Sequence, residues 1–497
     1  MKTTKKIILT GMACLFYVSA LFAGGLLTNT NQSVHFLRDP ARDASTEIDA
    51  AYTNPAGLAK LPEDGLHFSF NNQSAFQTRT ITSTFDPFAG FGGDATKVFK
   101  GEASAPIIPS LFGAYKKGNW VLSGGIAVTG GGGKATFNQG LPSFEAGLSQ
   151  LPGVINLVGM GIKAQLNQQY PGMFPDASLT ANQYKVDAYM EGSSMIYGAQ
   201  LGGTYKINEM FSAYAGFRLN IVNNGYKGHL RDLMSNPISA GLPATLGMNY
   251  TGEPINASAL IDMAIAAAGS DAQKVAQLGL LKKASNDGVF LDCSQSGWGV
   301  TPIIGFNFNY DKLNVGAKYE FRSALNIENK TKVDDTGMFP DGVNTPSDIP
   351  ALFTIGAQYE IIPSVKVSAG YHHFFDSGAK MANDKQKYIN GGINEYLFGA
   401  EWQIDKMFLI SAGGQVTRTG VTDPYQADMS FSLSSYSIGF GGAVNVSESV
   451  RINIGYFFTN YEDWTKKSDN YAGLPLPGTD VFSRTNKVFG AGVDFRF

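Results

Sequence analysis

The last eleven residues of the chain, Lys487 to Phe497, read KVFGAGVDFRF, and their alternation decides the fold. Counted back from the carboxyl end, Phe497, Phe495, Val493, Ala491 and Phe489 fall on one side of an extended strand; Arg496, Asp494, Gly492 and Gly490 fall on the other. One side suits hydrocarbon and the other suits water. About ten residues is the length of a bilayer-crossing strand. An aromatic terminus on such a strand suits the closing seam of a transmembrane β-barrel, because an unpaired edge in lipid is costly. A half-buried strand of a soluble sandwich is the alternative this segment leaves open.

The opposite end of the chain favours export. Lys2, Lys5 and Lys6 precede a mainly apolar run from Ile7 to Phe22, then Ala23, Gly24 and Gly25. This is a secretory signal pattern, with cleavage expected after Ala23 or Ala20. Cys14 falls inside it, which leaves Cys293 alone and no internal disulfide. No later run has the roughly 18 apolar residues of a spanning helix, so any membrane integration must use strands. Charged residues are 16% of the chain, against roughly 25% in soluble domains. The net charge of −3 includes the three leader lysines, so the mature chain stands at −6, and no nucleic-acid partner is expected.

From Gly65 onward, period-two segments recur at about 65–82, 104–116, 119–136, 184–206, 211–229, 294–310, 313–330, 347–361, 364–377, 390–405, 407–419, 428–446, 449–461 and 481–497. That is an even number of roughly fourteen, as a bacterial barrel requires. The connections alternate between short and long, which matches periplasmic turns and extracellular loops. Ala213, Ala215, Phe217, Leu219 and Ile221 oppose Tyr214, Gly216, Arg218 and Asn220. Val315, Ala317, Tyr319 and Phe321 likewise oppose Lys318, Glu320 and Arg322. Charges therefore face the bore. The fold class expected is all-β, a 14-stranded antiparallel transmembrane barrel, with a leader at 1–23, a hatch inside the lumen at 24–64 and the barrel at 65–497. A bore of that size must be occupied if it is not to leak. Ala44 to Tyr52 is expected to hold a short helix ended by the turn Asn54-Pro55-Ala56-Gly57. The loops 137–183 and 230–292 read as partly helical with apolar faces, which either pack on one another or collect apolar molecules.

These residues resemble the outer-membrane long-chain fatty-acid transporter family of the FadL type, which includes aromatic-hydrocarbon channels. The likeness lies in Gly24-Gly25 after the leader, LLTNTNQS (Leu26 to Ser33), DASTEIDAAYTNPAGLAKL (Asp43 to Leu61), the strand count and the final phenylalanine. HFLRDPARD (His35 to Asp43) departs from the family's glycine-rich run, so the hatch is expected to pack differently. The resemblance implies a passive channel for hydrophobic small molecules, caught by extracellular loops and released sideways into lipid through a kink in the third strand. It also implies a monomer of the outer membrane that needs no cofactor and is inserted by the barrel-assembly machinery through its Phe497 strand. In this chain the third strand carries Gly124, Gly125, Gly130, Gly131, Gly132 and Gly133, and glycine weakens pairing and invites bulges. Close approach of the wall to the hatch is the competing explanation.

Arg218, Lys318 and Arg322 are candidates to meet a ligand carboxylate, or else members of an ion-pair ladder with Glu320. Leu26 and Leu27 are candidates to touch an apolar tail. Metal and enzyme chemistry find little support. Of His35, His67, His229, His372 and His373, His35 falls in the hatch and His67 could face the lumen beside Ser69, but no GxSxG or HExxH pattern occurs. A general diffusion porin for polar solutes is the runner-up.

Overall fold

The computed structural model describes residues Thr28 to Phe497, so the leader and the candidates Leu26 and Leu27 lie outside the described residues. Fourteen long strands form the wall. They begin with β1 (Gly65–Thr84), β2 (Thr96–Lys117), β3 (Trp120–Phe137), β4 (Tyr184–Lys206), β5 (Phe211–Ser235), β6 (Val289–Tyr310) and β7 (Leu313–Glu320). They continue with β8 (Leu352–Ile362), β9 (Val365–Phe374), β10 (Asn394–Gln403), β11 (Phe408–Arg418), β12 (Ser435–Ser447), β13 (Val450–Tyr461) and β14 (Gly478–Arg496). Each pairs antiparallel with the next, and β14 pairs with β1 from His67 opposite Arg496 to Thr84 opposite Thr479. Phe497 and Leu66 exchange backbone hydrogen bonds of 2.8 and 3.0 Å at the foot of this seam. The wall is a closed cylinder.

Alternation holds as read. In β5, Tyr214, Arg218 and Asn220 are buried toward the bore, while Phe217 and Ile221 stand outside. Trp120, Trp298, Phe306 and Tyr310 are among the large exposed rings of the outer face. Among the described residues no helix is long and apolar enough to cross a membrane.

Three elements differ from expectation. β7 stops at Glu320 instead of running on to 330. Its ladder with β6 ends where Pro302, whose carbonyl accepts from Phe321 N, has no N–H to return. The pairing resumes on β6 from Glu328 to Asp334. Residues 428–434, expected to open β12, instead belong to a loop, 419–434, that folds inward with Met429, Phe431 and Leu433 buried. The Gln426 amide donates to the Ser432 carbonyl at 2.7 Å and accepts from Ser432 N at 2.9 Å, so a side chain meets backbone needs that a neighbouring strand would otherwise serve. Asn54-Pro55-Ala56-Gly57 leads into a 3₁₀ helix, Pro55–Lys60, with proline in its first turn, and the helix before it spans only Ala50–Thr53.

Thr28 to Asp64 enters the bore from the foot of β1. Ser33 caps α1 (Val34–Arg38) by accepting from Phe36 N at 3.2 Å, and every residue of that helix is buried. Wall glycines make the room. A Cβ at Gly370 would meet Asp43, one at Gly399 would meet Asp39, and one at Gly439 would meet the Leu37 carbonyl. At the opposite rim, α2 (Leu151–Gln169), α3 (Ser258–Ala268) and α4 (Ala272–Asn286) bury Ile155, Ile162, Leu260, Ile261, Leu278 and Leu281 in one apolar cluster. The apolar faces of the two long loops are spent largely on each other, although Leu157 and Met160 remain exposed.

Candidate functional site: the interrupted wall and its hatch

β2 and β3 pair from Gly101 to Ser104 and again from Leu111 to Lys117, but not between. In the interval β2 carries Pro106 and Pro109, which have no N–H to offer. On its other side β3 stays paired with β4 through two register shifts, at Val128/Gly130 and Gly131/Gly133. Gly131 and Gly133 have φ of +73° and +88°, and a Cβ on Gly131 would strike the Ser194 carbonyl. Val128 to Gly131 are all buried, as they must be where the strand bends into the bore, and Ile107 across the interval is 74% exposed on the outside. Gly124 and Gly125, in contrast, sit in the intact ladder opposite Gly113 and Phe112. They belong to close packing against Gln200 and Phe112 and not to the interruption.

The carbonyls freed by this bend are taken by the hatch. Thr129 O accepts from Asn29 N at 2.8 Å, Gly131 O from Asn29 Nδ2 at 2.9 Å, and Val128 O from Gln32 Nε2 at 2.9 Å. From the wall, Ser110 Oγ donates to Gln32 O at 2.6 Å and Gln73 Nε2 to Asn31 O at 2.7 Å. The leading residues of the hatch thus supply bonds that β2 withholds.

Behind the bend is a narrow cleft with about 190 Å³ of atom-free space, lined by Tyr52, Phe112, Gly125, Ala127, Gln200 and Arg218 among others. The cleft has no room for a molecule the size of water. Arg218 makes a bidentate pair with Glu320 at 2.6 and 3.0 Å and lies 4.5 Å from the Tyr52 ring centre. Lys318 Nζ donates to Glu320 Oε1 at 2.7 Å and to Tyr52 O at 2.9 Å. Both cations face the bore and both are engaged by one carboxylate, the ladder arrangement. Arg322 lies past the end of β7 with its side chain 42% exposed, paired to Asp348 at 2.7 Å, and is not in this cluster.

The segment that departs from the glycine-rich pattern supplies the hatch's ionic attachments. Arg38 pairs with Glu401 of β10 at 2.7 Å, Asp43 meets His372 of β9 at 2.9 Å, and His35 lies 3.1 Å from Asp494 of β14. Glu47 pairs with Arg451 of β13 at 2.6 Å. Asn54 donates to Ser45 O at 3.0 Å and Asn307 Oδ1 at 2.8 Å; the Pro55 and Ala56 carbonyls accept from Thr204 and Ser212 at 2.7 and 2.8 Å. A Cβ at Gly57 would meet the Ser45 carbonyl. The NPAG residues therefore dock the hatch to the wall. His35, Glu47 and Asp49 come close enough to suggest a metal cluster, but Arg42 and Arg451 already hold the two acids. His67 accepts no role beside Ser69: its ring bonds Glu63 O at 3.0 Å, while Ser69 donates to Asp494 at 2.6 Å.

Burial holds the Asp39 carboxyl up to about 6, Arg42 and Arg38 opposing and Glu401 reinforcing. Burial lowers the His35 pKa, but Asp494 and Asp49 outweigh it and the net shift is upward. Both groups bind protons more tightly in the docked hatch than in a free chain, so their contribution to docking is complete in acid and is lost as pH rises through about 6 and above. Glu47 and Asp49 are shifted the other way, held down by arginines against burial, so their contribution is complete at neutral pH and is lost only in acid below the usual carboxylate range. Hydrogen exchange in residues 28–60 is therefore expected to accelerate by about tenfold, beyond its intrinsic pH dependence, between pH 5 and 7. Asp39→Asn should flatten much of that rise.

No protein-family model and no curated protein matches the chain. Solved structures do. A Pseudomonas aeruginosa FadL homologue is similar with a TM-score of 0.60 at 12% identity, over 95% of this chain and 100% of that one. The Pseudomonas putida toluene transporter TodX is similar with a TM-score of 0.51 at 15% identity, over 97% of this chain and 100% of that one. A TodX deltaS2S3 mutant, a monoaromatic hydrocarbon channel, gives 0.53 at 14% identity over 94% and 99% of the two chains. The fold is that of the FadL-type barrels.

Proposed function

We propose that the protein is a passive, monomeric channel of the bacterial outer membrane for hydrophobic small molecules, long-chain fatty acids or similar compounds. Cargo is taken from the extracellular loops, passed along the bore and released sideways into lipid between β2 and β3. The observation that carries this reading is the unpaired interval between Ser104 and Leu111, sealed by Asn29 and Gln32 of the hatch. An interruption closed by a separate segment of chain suits a gate, whereas stability alone favours a continuous ladder. Solved barrels of this fold include a toluene transporter and a monoaromatic hydrocarbon channel, in keeping with apolar cargo. A general diffusion porin fits less well, since both the hatch and the loop 419–434 fill the bore. The leader is removed on export, and the Phe497 strand is the element that the assembly machinery engages. Native mass spectrometry of the purified protein is expected to show co-purified apolar molecules that survive detergent exchange. Free ion conduction by the intact protein, with no such molecule retained, overturns the reading.

A further inference from the structure

A second interruption of the wall lies between β6 and the continuation of β7. β7 pairs with β6 up to Glu320 opposite Ile303, and the ladder returns only at Glu328 opposite Ser296. Between these points residues 322–327 do not lie beside β6 but pass behind it. A Cβ at Gly297 would strike the Asn326 carbonyl, and one at Gly299 would meet Ser323 and Leu325, so both glycines admit chain against the inner face of the wall. Outside, Trp298 is 68% exposed, and Val300, Phe321 and Ala324 are exposed with it. The outward residues of β6 below Trp298 are Val300, Pro302, Ile304 and Phe306; those above it are Ser296, Ser294 and Asp292. The interruption therefore sits at the extracellular edge of the lipid-facing band. Behind it the surroundings are apolar. Leu325 and Ile327 pack with Ile349, with Ile196 of β4 and with Val222 of β5. Ile196 and Val222 belong to one cross-strand row that starts at Gly130, in the β2–β3 interval, and ends at Gly297. Branched aliphatic side chains thus join the two interruptions along the inner wall.

We propose that residues 322–327 close a second lateral port, an entrance through which apolar molecules dissolved in the outer leaflet reach the bore. On its far side the segment is well tied. Ser323 and Ile349 exchange backbone hydrogen bonds of 3.0 Å, Ser347 N donates to Leu325 O at 3.0 Å, and buried Asp348 accepts from Arg322 at 2.7 Å and from the N–H groups of Leu325 and Lys380 at 3.1 Å. Toward residues 297–301 of β6 no ladder pairing holds it, and packing closes the gap. Ser323 is wholly buried, yet its hydroxyl has no hydrogen-bond partner. An omitted run of ladder bonds at membrane depth and an unsatisfied hydroxyl both cost stability, which suits a segment that is displaced in use better than a fixed piece of wall. Moving each methylene from water into lipid is favourable, so the membrane holds more apolar cargo than the medium above it, and a side entrance draws on that store. The inference rests on the channel reading and adds to it a source of cargo separate from the extracellular loops and from release between β2 and β3.

The test uses the full chain with Cys293→Ser, to remove the native thiol, and Gly130→Phe, to obstruct the β2–β3 interval. Gly299→Cys and Ser323→Cys are added to bolt the segment to β6 by a disulfide. Labelled palmitate is supplied in the bilayer of phosphatidylcholine vesicles that hold the protein, and its loading is followed by native mass spectrometry. Oxidation is expected to slow loading by about tenfold and reduction to restore it, as for a gate that limits the rate. Ala324→Trp in the same background, which fills the interruption from the lipid side, should slow loading similarly, and it decides the matter alone should reduction fail to restore the rate. Heat-modifiable migration on gels verifies that each barrel is closed. Equal loading by oxidised and reduced protein, with Ala324→Trp as fast as its parent, overturns the port but leaves the channel standing. Wild type that takes palmitate neither from vesicles nor from albumin in detergent solution sinks both.

Discussion

Removal of residues 24–60 is expected to raise ion conductance in planar bilayers, and removal together with shortening of the loop 419–434 to raise it at least tenfold above the single deletion. A cylinder of fourteen strands is wider than the roughly eight that side chains can fill. Two separate pieces of chain fill the remainder. The hatch occupies the lower bore and Met429, Phe431 and Leu433 the upper, so neither deletion alone clears it. The barrel should survive, because Glu401, Arg451, Asp494 and His372 lose hatch partners but gain water, and a hydrated charge carries no burial penalty. Single-channel recording on refolded, heat-modifiable protein provides the measurement. A double variant as silent as wild type would show that some other segment seals the bore.

Gly130→Phe should reduce uptake of a fatty acid by at least tenfold while leaving its binding to the purified protein within about twofold. Gly130 lies buried in the β2–β3 interval yet is absent from the left-handed positions held by Gly131 and Gly133, so a side chain there adds bulk without demanding an unfavourable φ. Sideways release is the energetically sensible exit. Each methylene is worth roughly 0.8 kcal/mol, so delivering a long acyl chain into water costs on the order of 10 kcal/mol, most of which is avoided by passing directly into lipid. Retained uptake with a ring in the interval would direct attention to release through the periplasmic end.

The sealed interval could not have been found from β3 alone. GGGGK predicts a weak point in the wall, but a run of glycine serves close packing equally well, and Gly124 and Gly125 in the same strand do just that. The distinguishing signal lay in the neighbouring strand, where Pro106 and Pro109 remove donors opposite the glycines. The loop 419–434 was missed for a related reason. MSFSL alternates like a strand, and only the partners of Gln426 show that its backbone is satisfied from within.

Period, turn chemistry and the closing KVFGAGVDFRF segment were by themselves enough to determine a fourteen-stranded cylinder, its inward charges and a leading segment left over to stopper it. Those properties are local, repeating every two residues and punctuated by glycine, proline and asparagine, so they are legible one strand at a time. Which charges neutralise one another was decided only in three dimensions. Arg218 finds Glu320, Arg38 finds Glu401, and Arg79 is set beside another arginine, because pairing in a barrel depends on register between distant strands. An inward cation reads the same in sequence whether its neighbour across the ladder is a carboxylate, a ring or a second cation, because that neighbour is set by register with a strand far away in the chain.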